Sequence, residues 1–84
     1  MIRAEIISPT GVVFSDSVDM VVVPSMEGEI GILPKHTPLL TNLKKGEVRV
    51  KKGDSIKKFN IEGGFLEAMP DKVIILTSSS TKSL

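Results

Sequence analysis

The chain contains no cysteine, tryptophan or tyrosine, and only three phenylalanines. Without cysteine there is neither a disulfide nor a thiolate metal ligand, and the single His36 is too few for an all-protein zinc site. Platforms on which nucleic-acid bases stack need more rings than this. An excess of one charge is lacking too: 11 Lys and Arg against 10 Asp and Glu leave a net charge of +1. That balance gives no argument for nucleic acid or an anionic membrane surface as a partner. No apolar run approaches the roughly 18 residues of a spanning helix. The start, MIRAEIISP, has no cationic stretch followed by an apolar one, so no signal peptide is read and a soluble intracellular protein is the default expectation. A domain of 84 residues buries a modest core, and with no disulfide or metal to reinforce it, a partner subunit is the expected source of further stability.

What is present is a period of two. Ile2, Ala4 and Ile6 share one face and Arg3 and Glu5 the other. Pro9-Thr10-Gly11 interrupts, Val12 to Phe14 follows, and Ser15-Asp16-Ser17 reads as a turn. Val18 to Val23 is largely β-branched, with Pro24 expected to stop it. A stretch rich in Gly and Glu leads to Ile30-Gly31-Ile32-Leu33. Pro34 and Pro38 bracket a loop, Leu39 to Leu43 is a short apolar run, and Lys44-Lys45-Gly46 reads as a turn. Glu47 to Lys52 alternates cleanly, which puts Val48 and Val50 on the core side. Gly53-Asp54 predicts a hairpin turn, Gly63-Gly64 a bulge or a close backbone approach, and Pro70-Asp71 a two-residue turn. Turn signals every eight to twelve residues or so, without a helical period, define an all-β sandwich or barrel. The expected domain is residues 1–77, with 78–84 a polar, frayed tail.

Candidate chemistry is sparse. His36 lacks the nucleophile and orienting acid of a catalytic group. Glu27 and Glu29 flank Gly28, but a calcium loop needs more oxygen ligands at other spacings. Gly28 to Gly31 lacks the Lys and the helix of a phosphate loop. Lysines at 44, 45, 51, 52, 57 and 58 read as a solvated face that protects sheet edges. Asp71-Lys72 at a hairpin turn raises one rival class, an acyl-carrier domain modified on Lys72. A generic small β-sandwich binding module is another. No catalytic, cofactor or metal site is expected.

From Val21 onward the sequence becomes specific. The stretch VVVPSMEGEIGILPKHTPLLTNLKKGEVRV resembles the epsilon subunit of F-type ATP synthases. It carries an acidic-Gly-acidic segment at Glu27, Gly28 and Glu29, and an apolar segment at Gly31 and Ile32. Pro-x-His-x-Pro-Leu-Leu follows from Pro34 to Leu40, and then the Lys-x-Gly of Lys44 and Gly46. Gly63, Gly64, Glu67, Pro70 and Val73 fit a second segment of that family.

The resemblance implies two five-stranded antiparallel sheets packed face to face, in a non-catalytic rotor subunit without a cofactor. Its partners would be the gamma subunit and the ring of membrane c subunits. Its location would be peripheral, at the inner face of the bacterial cytoplasmic membrane or an organellar equivalent. Glu29, Ile30, Gly31, Ile32 and Leu33 resemble a loop that meets the c ring. His36 and Thr41 resemble positions close to gamma or the ring. Glu29 shows no reason within the chain to carry its charge. Most family members continue into a C-terminal pair of helices that can bind ATP or extend along the stalk and restrain hydrolysis. This chain stops at Leu84, near the expected end of the sandwich, so those properties are not carried over.

Overall fold

The computed structural model describes residues 1–83. Eight strands account for most of them: β1 Ile2–Ser8, β2 Gly11–Val18, β3 Met20–Ser25, β4 Gly28–Ile32, β5 Leu39–Lys52, β6 Ser55–Ala68, β7 Lys72–Thr77 and β8 Ser80–Ser83. The all-β expectation holds, and no helix occurs among the described residues.

Two strands organise the rest. β5 and β6 are each 14 residues long and pair antiparallel from Leu39↔Ala68 to Lys52↔Ser55. They are more than twice the usual strand length, and each serves both layers. In one layer β2 pairs β1, β1 runs parallel to β7, and β7 pairs Gly64–Ala68 of β6. In the other, β4 pairs β3, β3 pairs β5 chiefly at Arg49–Lys51, and β8 pairs Lys58–Ile61 of β6. The expected pair of separate sheets is therefore one hydrogen-bonded path, β2-β1-β7-β6-β5-β3-β4, with β8 attached to β6. Counted by halves, each layer has its five strands, and β5 and β6 are shared. β1 and β7 run parallel, so the network is mixed rather than wholly antiparallel.

Both layers fill one core. Ile2, Ile6, Leu66 and Ile75 from the first half join Val21, Ile32, Val48 and Ile61 from the second in a single buried cluster. Each fully buried aliphatic side chain contributes about 1.5–3 kcal/mol relative to exposure. Val48 and Val50 point inward as expected, and the shared face of Ile2, Ala4 and Ile6 is the buried one, with all five at most 2% exposed.

Both predicted tight turns form. Gly53-Asp54 joins β5 to β6, with Gly53 at φ 58°. Around Pro70-Asp71, the Met69 amide donates to the Lys72 carbonyl at 2.7 Å and the Lys72 amide returns the bond at 3.4 Å.

Several expected breaks are instead continuous strand. Pro24 lies inside β3, because the ladder to β5 shifts register between Val22 and Ser25 and needs no amide there. Ser15, Asp16 and Ser17 stay paired with Glu5, Ala4 and Arg3, so β2 does not turn. Lys44-Lys45-Gly46 lies within β5 and the chain does not reverse there; Leu43 pairs Gly64 and Lys45 pairs Glu62 of β6, where Gly63 and Gly64 have φ 95° and 153°. The polar tail also gains structure. Ser80–Ser83 forms β8, because β6 offers an open edge at Lys58–Ile61 that backbone groups can pair irrespective of side-chain polarity.

Candidate functional site

Glu29 to Leu33, expected as a loop, is mostly strand. β4 covers Gly28–Ile32 and pairs in register with β3 from Val21↔Ile32 to Ser25↔Gly28. The hairpin tip is Met26-Glu27, where the Ser25 hydroxyl donates to the Gly28 carbonyl and accepts from the Glu27 amide at 3.3 Å. Strand alternation then sorts the five residues. Glu29 and Gly31 are exposed on the outer face, Ile30 is half-buried, and Ile32 is fully buried against the core. The side chain of Ile32 is thus unavailable to a partner, contrary to expectation, because its position in the pleat points inward. Leu33, just past the strand, is 55% exposed despite being apolar.

Glu29 also has a partner within the chain that its sequence context did not reveal. The Arg49 guanidinium donates through both terminal nitrogens to the two carboxylate oxygens, at 3.1 and 3.2 Å. Glu47 approaches the same group at 3.6 Å. These hydrogen bonds, chiefly that of Glu29, hold the proton on Arg49 more firmly than usual. Glu29 and Arg49 are twenty residues apart in sequence, and only the β4-β3-β5 order brings them together. Glu27, at the tip, does not join them. No cluster of three or more His, Cys, Asp or Glu able to hold a metal ion occurs among the described residues.

The segment after β4 crosses from one layer to the other and is pinned on the way. Lys35, at φ 65°, donates its amide to the Pro70 carbonyl at 2.7 Å. His36 is half-buried, with Nδ1 2.6 Å from the Thr37 carbonyl, so a proton on Nδ1 closes a local hydrogen bond. Thr41 lies in β5 opposite Leu66 and is also half-buried. Glu29, Leu33, His36 and Thr41 therefore follow one course, along an edge strand and over to the opposite layer.

The sequence reading missed a second surface. Outward positions of the first layer form a row, Phe65–Leu76–Ile7–Val12, aligned across β6, β7, β1 and β2. Phe65, Leu76 and Val12 are 38%, 49% and 62% exposed. The signal was present in Ile6-Ile7 and in Val73-Ile74-Ile75-Leu76. A strand apolar at every residue is apolar on both faces.

A cleft of about 110 Å³ opens between β2 and the β5–β6 hairpin, lined in part by Phe14, Asp16, Lys52 and Lys57. Lys52 binds Asp16 at 3.2 Å, and the Lys57 ammonium sits 5.7 Å from the Phe14 ring centre. Ligand sites for larger molecules run from about 300 Å³ upward, so this cleft does not accommodate a nucleotide. Lys72 is not displayed at a hairpin tip as a carrier lysine would be. It opens β7, and its ammonium lies 3.4 Å from Glu5.

The fold is a small β-sandwich whose outer faces carry the Glu29 segment on one layer and the Phe65–Leu76–Ile7–Val12 row on the other. Residues 1–83 match the family described as ATP synthase, Delta/Epsilon chain, beta-sandwich domain, and the chain belongs to that family. It is 49% identical over 79 residues to an ATP synthase epsilon chain of Alkalihalophilus pseudofirmus, covering 94% of this chain and 59% of the relative. An ATP synthase epsilon chain of Desulforamulus reducens is 41% identical over 81 residues, covering 96% and 61%. The chain thus spans about six tenths of the length of these relatives. Among solved structures, a chain of the Euglena gracilis mitochondrial ATP synthase superposes with a TM-score of 0.91 at 23% identity, over 96% of this chain and 52% of that one. A chain of the Tetrahymena thermophila mitochondrial ATP synthase central stalk and c-ring gives 0.80 at 15% identity, over 95% and 65%. At these identities the superpositions establish a shared fold.

Proposed function

We propose that the chain is a non-catalytic rotor subunit in the central stalk of a proton-translocating F-type ATP synthase. In this reading it links the gamma subunit to the membrane c ring and supports the coupling of ion flow to ATP synthesis. It would be peripheral to the membrane, held at the inner face of the bacterial cytoplasmic membrane or its organellar counterpart through the complex. The relatives named as ATP synthase epsilon chains support the complex.

The observation that carries the mechanical role is the placement of the acidic Glu29 segment on a paired strand. A rotor element must transmit torque without local yielding. β4 is registered on β3 along its whole length, and the crossing segment is tied at Lys35 to the β6–β7 turn. Pro34 and Pro38 further restrict that segment. Glu29, Ile30, Gly31 and Leu33 are the proposed ring contacts, with Ile32 contributing backbone only. His36 and Thr41 are proposed to lie near gamma or the ring. The exposed apolar row on the other layer suits a second partner, which two-sided linkage requires.

The test is reconstitution. ATP synthase stripped of its epsilon subunit is returned to vesicles with this chain, and proton-driven ATP synthesis is measured alongside co-purification with gamma and the c ring. The chain is expected to co-purify with both and to raise coupled synthesis. Failure to bind gamma would overturn the reading.

A further inference from the structure

We propose that Arg49 is the positioning residue for the contact made by Glu29; this rests on the reading of Glu29 as a rotor contact and adds how its carboxylate is held. Glu29 lies on edge strand β4 opposite Pro24 of β3, while Arg49 lies on β5 opposite Val22 of the same strand. The guanidinium reaches over an intervening strand to bind both carboxylate oxygens at 3.1 and 3.2 Å. A bidentate pair fixes the plane of the carboxylate as well as its position, which a lysine at the same place does not do. Glu47 meets the same guanidinium at 3.6 Å from two residues back on β5. Three side chains from two strands thus form a triad with one net negative charge.

A purely structural role is a poor account of this arrangement. β4 is already held by its ladder to β3, and the Arg49 and Glu29 side chains remain 34% and 57% exposed. Pairs this exposed add little to folding. What the pair does change is the freedom of Glu29. An untethered glutamate on an edge strand loses rotamers when a partner docks, whereas Arg49 removes that freedom beforehand. The pair therefore acts on binding more than on stability.

The experiment titrates the full chain and its variants into ATP synthase stripped of its epsilon subunit. Affinity is read from restored proton-driven synthesis, and urea midpoints are recorded for each variant. Arg49→Gln and Glu29→Gln are each expected to weaken binding about two- to fivefold, the range of a partly exposed charge pair. The double variant should be no weaker than either single, because the two side chains act as one unit. Arg49→Lys should recover part of the loss. The urea midpoints of all variants should stay close to the parent's, and the swap Glu29→Arg with Arg49→Glu should not recover the affinity, since the partner then meets the wrong charge on β4. Normal binding of Arg49→Gln beside weakened Glu29→Gln would overturn the role of Arg49 and leave the Glu29 contact standing. Normal binding of Glu29→Gln would overturn both. A swap that restored affinity would show that the pair acts on the fold alone.

Discussion

Gly64 on β6 leaves no room for a side chain beside the carbonyl of Leu76 on β7. A Cβ built on Gly64 would overlap the Leu76 oxygen and also lie 3.1 Å from the Thr77 α-carbon. The backbone there has φ 153°, a conformation that side chains resist. The contact falls where β6 leaves one layer for the other, next to the hydrogen bond from the Thr77 hydroxyl to the Gly63 carbonyl at 2.6 Å.

Gly64→Ala should therefore destabilise the domain by about 2–5 kcal/mol, combining backbone strain with overpacking against a neighbour that cannot move aside. Gly53→Asn is the control: φ there is 58° and a Cβ would meet nothing within 4 Å. Its urea midpoint should stay close to the parent's, because Asn tolerates that conformation. Equal stability of Gly64→Ala and the parent would disprove the close approach.

Val50→Ala should cost about 1–3 kcal/mol from lost burial and the cavity left behind. Val50 is 2% exposed and paired with Val21. Urea unfolding checks the magnitude, and an unchanged midpoint would mean that the inward face of β5 is misassigned.

The carboxyl of Asp16 is held below its ordinary value, first by the hydrogen bond from the Ser17 amide and then by the Lys52 side chain. A depressed folded pKa means that the ionised form contributes stability above the unfolded value, about 3.9. That contribution is lost as pH falls through the lower folded value. Asp16→Asn should accordingly be less stable than the parent at pH 7, and the gap should close below about pH 4. Denaturation series at both pH values test this, and a gap that widened in acid would reverse the sign of the assignment.

Mg-ATP should give no saturable heat when titrated calorimetrically into the 84-residue chain. The cleft of about 110 Å³ at the β2 edge is too small for a nucleotide. A micromolar site would require a binding surface elsewhere on the domain.

Adding the gamma subunit should raise the melting temperature of the chain. Binding only the folded form stabilises it by about 2.7 kcal/mol at a hundredfold excess over Kd. An unchanged melt at saturating gamma would count against the apolar row or the Glu29 segment as its docking face.

The alternation of Ile2, Ala4, Ile6, Val48 and Val50, and the turns at Gly53-Asp54 and Pro70-Asp71, were legible from residues 1–84 alone. A period of two and a tight turn are local properties, and each residue carries its own share of the signal. The family segment was legible for the same reason, since spacing from Glu27 to Gly46 is written along the chain. What only the tertiary structure decided are relations between distant segments. Pro24 and Lys44-Lys45-Gly46 look like breaks in sequence, yet they lie in strands because neighbouring strands stay paired across them, Pro24 with Glu29 and Lys45 with Glu62. The apolar-poor Ser80–Ser83 becomes β8 because β6 supplies backbone partners, a gain that no side chain advertises. Glu29 looked unpartnered because Arg49 stands twenty residues away and meets it only after β3 is placed between their strands. Ion pairing depends on distance in space and is nearly silent in sequence, whereas hydrophobic alternation repeats at every second residue.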